Sequence, residues 1–181
     1  MHAGGKSILI FLLSGFIIIG CQSSVRYSST RQPNRTTADT HKNTDAKSGY
    51  SLPVDYSSLS EKRYTVMKKA ESLIGSPYCY GGYSTNCFDC SGFIKTVYEN
   101  VGIEVPRISK DIYSLGESVS LSEIKPGDLV FFSDSGGINH VGIASGNNEM
   151  IHASTSRGVV RQSLDDKYFS SHFAGAKRII H

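Results

Sequence analysis

A loop-rich α+β domain is the fold that the sequence predicts. Two stretches, 61–74 and 91–101, carry apolar residues at helical spacing. From 125 to 153, short apolar or alternating runs are separated by turn residues, the pattern of strands. The 18 glycines suit the many connections such a fold needs.

The folded part is expected from Ser60 to His181, about 120 residues, a common single-domain size. Ser60 is positioned to cap the first helix, with Glu61 and Lys62 in its first turn. Tyr64, Met67, Ala70 and Ile74 should face the core, and Gly75 and Pro77 should end the helix. A loop, Pro77-Tyr78-Cys79-Tyr80-Gly81-Gly82, leads to a second helix capped by Asp89 or Ser91. That helix carries Phe93, Ile94, Val97, Tyr98 and Val101 on one side and closes at Gly102. Lys125-Pro126-Gly127-Asp128 reads as a turn and Leu129-Val130-Phe131-Phe132 as a buried strand. Ser133 to Gly137 reads as a loop. From Asn139 to Ala144 the chain alternates: Val141 and Ile143 point one way, His140, Gly142 and Ala144 the other. Ser145 to Asn148 should turn, and Glu149 to Ala153 should return as the partner strand. A register pairing 143 with 149 would set His140 opposite His152, although the turn alone does not fix register.

The chemistry centres on Cys90. A cysteine attacks as the thiolate, which a helix N-terminus and a nearby imidazole both favour. Cys90 falls in or beside the first turn of the second helix, where unpaired backbone N–H groups stabilise negative charge. The same donors suit the oxyanion of acyl transfer. Alone, Cys90 reads equally well as a small buried hydrophobe. Two histidines able to meet across a hairpin, beside the small Gly142 and Ala144, tilt the balance toward a cysteine hydrolase. The formal charge of +3 is too mild to argue for nucleic acid, and no basic run supports that class.

Six segments, in order, are Pro77-Tyr78-x-Tyr80-Gly81-Gly82, Asp89-Cys90-Ser91-Gly92-Phe93, Pro106-Arg107, Pro126-Gly127-Asp128-Leu129, His140-Val141-Gly142-Ile143 and Ile151-His152-Ala153-Ser154. Together they resemble the ordered motifs of the NlpC/P60 family, and within it the short lipoprotein murein endopeptidases. The resemblance implies a papain-like α+β core with helices packed on a central antiparallel sheet. It implies Cys90 as nucleophile, His140 as base and then acid, and His152 as the group that orients His140. Tyr78, with Tyr80 as second choice, would help bind the oxyanion, and Asp89 and Ser91 would support the nucleophile turn. Arg107 would either line the substrate groove, where a guanidinium suits a stem-peptide carboxylate, or form a structural salt bridge.

The reaction implied is hydrolysis of amide bonds in peptidoglycan stem peptides or their D,D cross-links, by a monomer with no metal or organic cofactor. A noncatalytic wall-binding lipoprotein and a thiol-dependent acyltransferase or amidase on the same fold are the alternatives. The chain departs from the family pattern at Ile112 and Tyr113, where relatives carry a glutamine, which bears on substrate preference. Cys79 and Cys87 are also extra to the pattern. A Cys79–Cys87 disulfide would tie down the loop, a Cys87–Cys90 disulfide would silence the nucleophile, and free thiols are the plain alternative. Cys87-Phe88-Asp89-Cys90 is formally a C-x-x-C, but the histidines are spaced too widely for a zinc-finger site.

The first 20 residues read as a lipoprotein signal peptide. Lys6 precedes an apolar run from Ile8 to Ile19, the length of a secretory h-region. Ile18-Ile19-Gly20-Cys21 resembles a lipobox, so Cys21 is the expected lipidation site and membrane anchor. Several acyl chains on Cys21 would hold the protein stably where one would not. Gln22 stands where an aspartate would resemble an inner-membrane retention signal. The expected location is therefore the bacterial cell envelope, at the outer membrane and facing the periplasm. Residues 21–59 read as a polar tether rich in Ser, Thr, Asn, Arg and Lys. A flexible coil of ~38 residues has a root-mean-square reach of roughly 30–37 Å.

Overall fold

A computed structural model describes residues 54–84 and 86–181. The expected signal segment, Cys21 and the tether up to residue 53 lie outside the described residues. Helix α1 spans Glu61–Ser72. Ser60 takes the N-cap position, but its side chain makes no capping hydrogen bond. The buried face of α1 is Arg63, Val66, Met67 and Ala70, which is also an i, i+3, i+4, i+7 stripe. Two expected core residues are therefore corrected, since Tyr64 is 44% and Ile74 43% exposed. The stripe is rotated because Arg63 has partners inside: it donates to Pro126 O at 2.7 Å, to Asp128 at 2.9 Å and to the Ile180 carbonyl. The folded part also starts earlier than Ser60. Tyr56 is buried, and its hydroxyl donates to Ser145 O at 3.0 Å.

Helix α2 runs Cys90–Glu99 and buries Phe93, Ile94, Val97 and Tyr98. Before it, β1 (Tyr83–Ser84) and β2 (Cys87–Phe88) form a small hairpin, tied to the preceding loop by a Cys79–Cys87 disulfide. A one-turn helix α3 spans Ser109–Ile112. Ile112 is fully buried there, Tyr113 packs edge-on against Phe131, and the Tyr113 hydroxyl bonds to Ala174 O. Both side chains are thus engaged in packing.

Six strands form one antiparallel sheet: β3 (Glu117–Val119), β4 (Leu129–Asp134), β5 (Gly137–Gly146), β6 (Glu149–Ser154), β7 (Gly158–Ser163) and β8 (Phe173–Arg178), in the order β3-β8-β4-β5-β6-β7. Strand alternation splits its side chains between two faces. Phe131, Val141, Ile143 and Ile151 pack toward α1, α2 and α3 in the main core. Val130, Phe132, Ala144 and Met150 face the other way, covered by Leu164 and by Phe169 of α4 (Lys167–His172). The segment expected as a loop from Ser133 is shorter, because β4 continues to Asp134 and β5 restarts at Gly137. Among the described residues, no helix is long and apolar enough to cross a membrane.

The β5–β6 register differs from the expected pairing of 143 with 149. Ile143 pairs with Ile151 and Ala144 with Met150. The turn is tighter than expected, with Asn147 and Asn148 both at positive φ (51° and 56°), the conformation of a two-residue hairpin loop. A shift between Ala144 and Gly146 then moves the ladder by one residue. The net slip from the expected register is two residues. An even slip keeps every side chain on its face, so His140 and His152 become diagonal neighbours on the same side.

The Pro126-Gly127-Asp128 turn locks helices to sheet. Pro126 O accepts from Arg63, Gly127 O accepts from the Tyr98 hydroxyl at 2.7 Å, and the fully buried Asp128 pairs with both Arg63 (2.9 Å) and Arg178 (2.7 Å). Burial alone would raise the Asp128 pKa. Arg178, the Lys125 N–H and Arg63 outweigh it and hold the carboxyl below its ordinary value.

Candidate active site

The turn that carries Cys90 is built by Asp89. Its Oδ1 accepts from Gly92 N at 2.7 Å, capping α2. Its Oδ2 accepts from Gly81 N at 3.0 Å, tying the preceding loop to the helix. Gly92 is required by this closeness: a Cβ there would lie 2.0 Å from the Gly82 carbonyl oxygen. With Gly92 N bound to the Asp89 side chain and Phe93 N to Asp89 O, Cys90 and Ser91 hold the first-turn N–H groups not used in capping. Both lie near the thiol and favour its charged form.

Cys90 is half-buried at the start of α2 and is the free cysteine of the described residues. Its Sγ lies 3.9 Å from Asn139 O, and the Val141 N–H also reaches toward it. The Cys90 thiol is therefore packed against the backbone on both sides of His140. Burial pushes the Cys90 thiol up, and the Asp89 charge adds to this, against the opposing pull of the Val141, Ser91 and Cys90 N–H groups. The disulfide removes Cys87 from any C-x-x-C metal site and leaves Cys90 unpaired.

The two histidines meet despite the shifted register. His140 Nε2 is 2.8 Å from His152 Nδ1, with the rings edge-on at 5.0 Å. Gly142 leaves room for His152, since a Cβ there would lie 3.2 Å from His152 Cβ and 2.8 Å from Met150 Sδ. Phe169 stacks on His140 and sits edge-on to His152. Burial pushes His140 down to about 3, with His152 adding to the effect, and burial pushes His152 down to about 4. Both rings are therefore neutral at pH 7, and a neutral imidazole can accept a proton.

Arg107 forms a salt bridge and lines a cavity. Its guanidinium binds Asp89 through two nitrogens, at 2.9 and 2.6 Å, and donates to Ser91 Oγ at 2.8 Å. This fork-to-fork pair spends the geometry that a substrate carboxylate would need. Burial would raise the Asp89 pKa, but Arg107 and the Gly92 and Gly81 N–H groups keep it below the usual carboxylate range. Tyr78, Tyr80, Gly81, Cys90, Arg107 and Asn139 line a cavity of about 460 Å³ on the thiol side. Tyr78 is half-buried, and burial followed by the Cys90 charge raises its pKa. Tyr80 is 95% exposed at the rim. A second cavity of about 380 Å³ opens on the histidine side, and Asn139 belongs to both.

Sequence reasoning missed Gln162. Its Oε1 lies 3.1 Å from His152 Nε2. The signal was alternation in β7, but reading it needs the β6–β7 pairing, in which Met150 faces Gln162. Asn139 and Phe169 were missed likewise, because α4 and the β5 backbone approach the site only through the tertiary fold.

The sequence profile of the NlpC/P60 family matches residues 75–178. The chain is 46% identical over 112 residues to the probable endopeptidase NlpC of Escherichia coli, covering 60% of this chain and 73% of that protein. It is 38% identical over 116 residues to the E. coli murein DD-endopeptidase MepS/murein LD-carboxypeptidase, covering 64% of this chain and 62% of that one. Among solved structures, the NlpC/p60 domain of the peptidoglycan hydrolase SagA superposes with a TM-score of 0.59 at 33% identity, covering 65% of this chain and 98% of that domain.

Proposed function

The chain belongs to the NlpC/P60 family, and from that premise we propose that it is a cell-wall hydrolase, a cysteine endopeptidase acting on peptidoglycan peptides. The observation that carries the reading is a lone thiol at a helix start, packed against the strand whose histidine is paired to a second histidine at 2.8 Å. The names of the relatives supply the substrate class. Cys90 Sγ attacks the carbonyl carbon of the scissile amide as the thiol proton passes to His140. With Nε2 of His140 turned to His152, Nδ1 is the nitrogen left for that transfer. The N–H groups of Cys90 and Ser91 and the Tyr78 hydroxyl are the candidate donors to the oxyanion. Collapse of the intermediate breaks the C–N bond, and His140 gives its proton to the departing amine. Water then attacks the thioester, His140 takes a proton from it, and the carboxylic acid and free thiol are released.

The leaving amine must lie beside His140, so the histidine-side cavity receives the leaving portion and the thiol-side cavity the acyl portion. Asp89 and Ser91 hold the turn, and Arg107 acts through Asp89. The D,D cross-link is the favoured bond, by likeness to the named DD-endopeptidase. The reading extends to a lipid anchor on Cys21 and a monomer working from the outer membrane into the periplasm. Replacing Cys21 should release the protein from membranes, and a membrane-bound Cys21→Ala protein would refute the anchor. Digestion of purified peptidoglycan by the protein, read by mass spectrometry, tests the activity. New amine and carboxylate termini on stem peptides are expected, and their masses name the bond. Intact peptidoglycan under reducing and oxidising conditions would turn the reading toward wall binding or acyl transfer.

A further inference from the structure

Beyond the paired histidines lies a side chain that no step of the hydrolysis uses directly. Gln162 Oε1 faces His152 Nε2 at 3.1 Å, and the same oxygen accepts from an Nη of Arg157. Gln162 Nε2 donates to Asp166 Oδ2 at 3.1 Å, and Asp166 Oδ1 is held by Tyr168 N at 2.9 Å. A guanidinium can only donate, and a carboxylate here accepts. The amide of Gln162 is therefore oriented with its oxygen toward His152.

The proton positions follow from this orientation. An oxygen opposite His152 Nε2 requires that nitrogen to carry the hydrogen. A neutral imidazole has one N–H, so His152 Nδ1 holds a lone pair. That lone pair faces His140 Nε2 at 2.8 Å, so His140 carries its hydrogen on Nε2. Nδ1 of His140 is left bare, the state in which it can take the Cys90 proton. With the opposite tautomers, His152 would donate to His140, whose own hydrogen would sit on Nδ1 and block the transfer.

We infer that Gln162 is a positioning residue that sets the tautomers of His152 and, through it, of His140, keeping Nδ1 of His140 open as the base. The catalytic consequence rests on the endopeptidase reading, but the tautomers themselves do not. Arg157 and Asp166 belong to the same device, because they fix which end of the amide faces the ring.

The test uses the purified protein with nitrogen-15 in its histidines. Long-range proton–nitrogen spectra at pH 7 should show both His140 and His152 protonated on Nε2. Gln162→Leu removes the acceptor, and both rings should become tautomer mixtures. Its kcat on cross-linked peptidoglycan fragments should fall roughly 10- to 100-fold with KM little changed. The exchange variant Gln162→Glu/Asp166→Asn keeps an acceptor toward His152 and a donor–acceptor pair between positions 162 and 166, and should restore the wild-type tautomers and most of kcat. A wild-type His140 protonated on Nδ1 would overturn the inference, as would a Gln162→Leu protein with wild-type tautomers and kcat. If Gln162→Leu fails to fold, the wild-type spectrum and Gln162→Glu/Asp166→Asn still decide. If hydrolysis is absent altogether, the spectra still test the tautomers while the endopeptidase reading fails.

Discussion

Acid should unfold this domain through its paired histidines well before its carboxylates titrate. Burial holds His140 down to about 3 and His152 down to about 4, against an ordinary value of 6.5. A base whose pKa is depressed in the folded state binds its proton more readily when unfolded. Stability is therefore full above 6.5 and falls as the pH drops from 6.5 toward 4. Each histidine contributes a slope of roughly 1.4 kcal/mol per pH unit in that window. Between pH 7 and pH 4.5 the two together cost on the order of 5 kcal/mol, comparable to the whole stability of a typical domain. Asp89 and Asp128 act lower: both sit below the ordinary carboxylate value of 3.8, so their contribution is lost mainly as the pH falls through and below 4. Urea titrations at pH 7, 5.5 and 4.5 on wild type and on His140→Gln/His152→Gln measure the slope. The wild type should lose most of its stability by pH 4.5, and the double variant should show a much flatter dependence over that range. Equal slopes in the two proteins would refute the argument that these rings are buried neutral.

Three further outcomes follow from the site and its supports. Burial raises the Cys90 thiol and lowers both imidazoles, so a neutral thiol and neutral imidazoles are the expected resting forms. Alkylation of Cys90 by iodoacetamide should climb through the alkaline range, and a rate that is flat from pH 5 to 8 would contradict it. Asp128→Asn removes the charge between Arg63 and Arg178 and should cost about 3–5 kcal/mol in urea unfolding at pH 7. A loss below 1 kcal/mol would mean the triad is solvated. Gly92→Ala would put a methyl 2.0 Å from the Gly82 carbonyl, a backbone atom that cannot swing away. It should lower Tm sharply and displace the turn at Cys90, whereas a wild-type Tm would mean the loop and helix are not locked.

What could be read from the sequence was local. Asp89, one of the two expected caps, the apolar face of α2 from Phe93 to Tyr98 and the buried β4 run depend on neighbours a few residues away, and each formed, although α2 ends at Glu99, short of the expected Gly102. The Cys79–Cys87 bridge follows the same logic, since it closes a short loop beside Cys90. What escaped depended on distant partners. Arg63 does not look like a core residue until Asp128 and Ile180 are brought to it. The β5–β6 register turned on a one-residue irregularity at Ser145 that apolar alternation does not reveal. The histidine pair survived that error because the slip was even. Arg107 forms the salt bridge that was one of its two expected roles, and that its partner is Asp89 showed only in the fold. Gln162 required the pairing of β6 with β7 and the orientation of its own amide by Arg157 and Asp166.

The role of Cys90 is tested most directly by comparing wild type and Cys90→Ala on the same purified peptidoglycan, with thermal melts run in parallel. Wild type should release peptide fragments. Cys90→Ala should melt within a few degrees of it and lose activity by at least about a thousandfold, the scale at which removing a covalent nucleophile acts. Fragment release by a folded Cys90→Ala protein at a rate near wild type would show that the amide bond is broken by some other group.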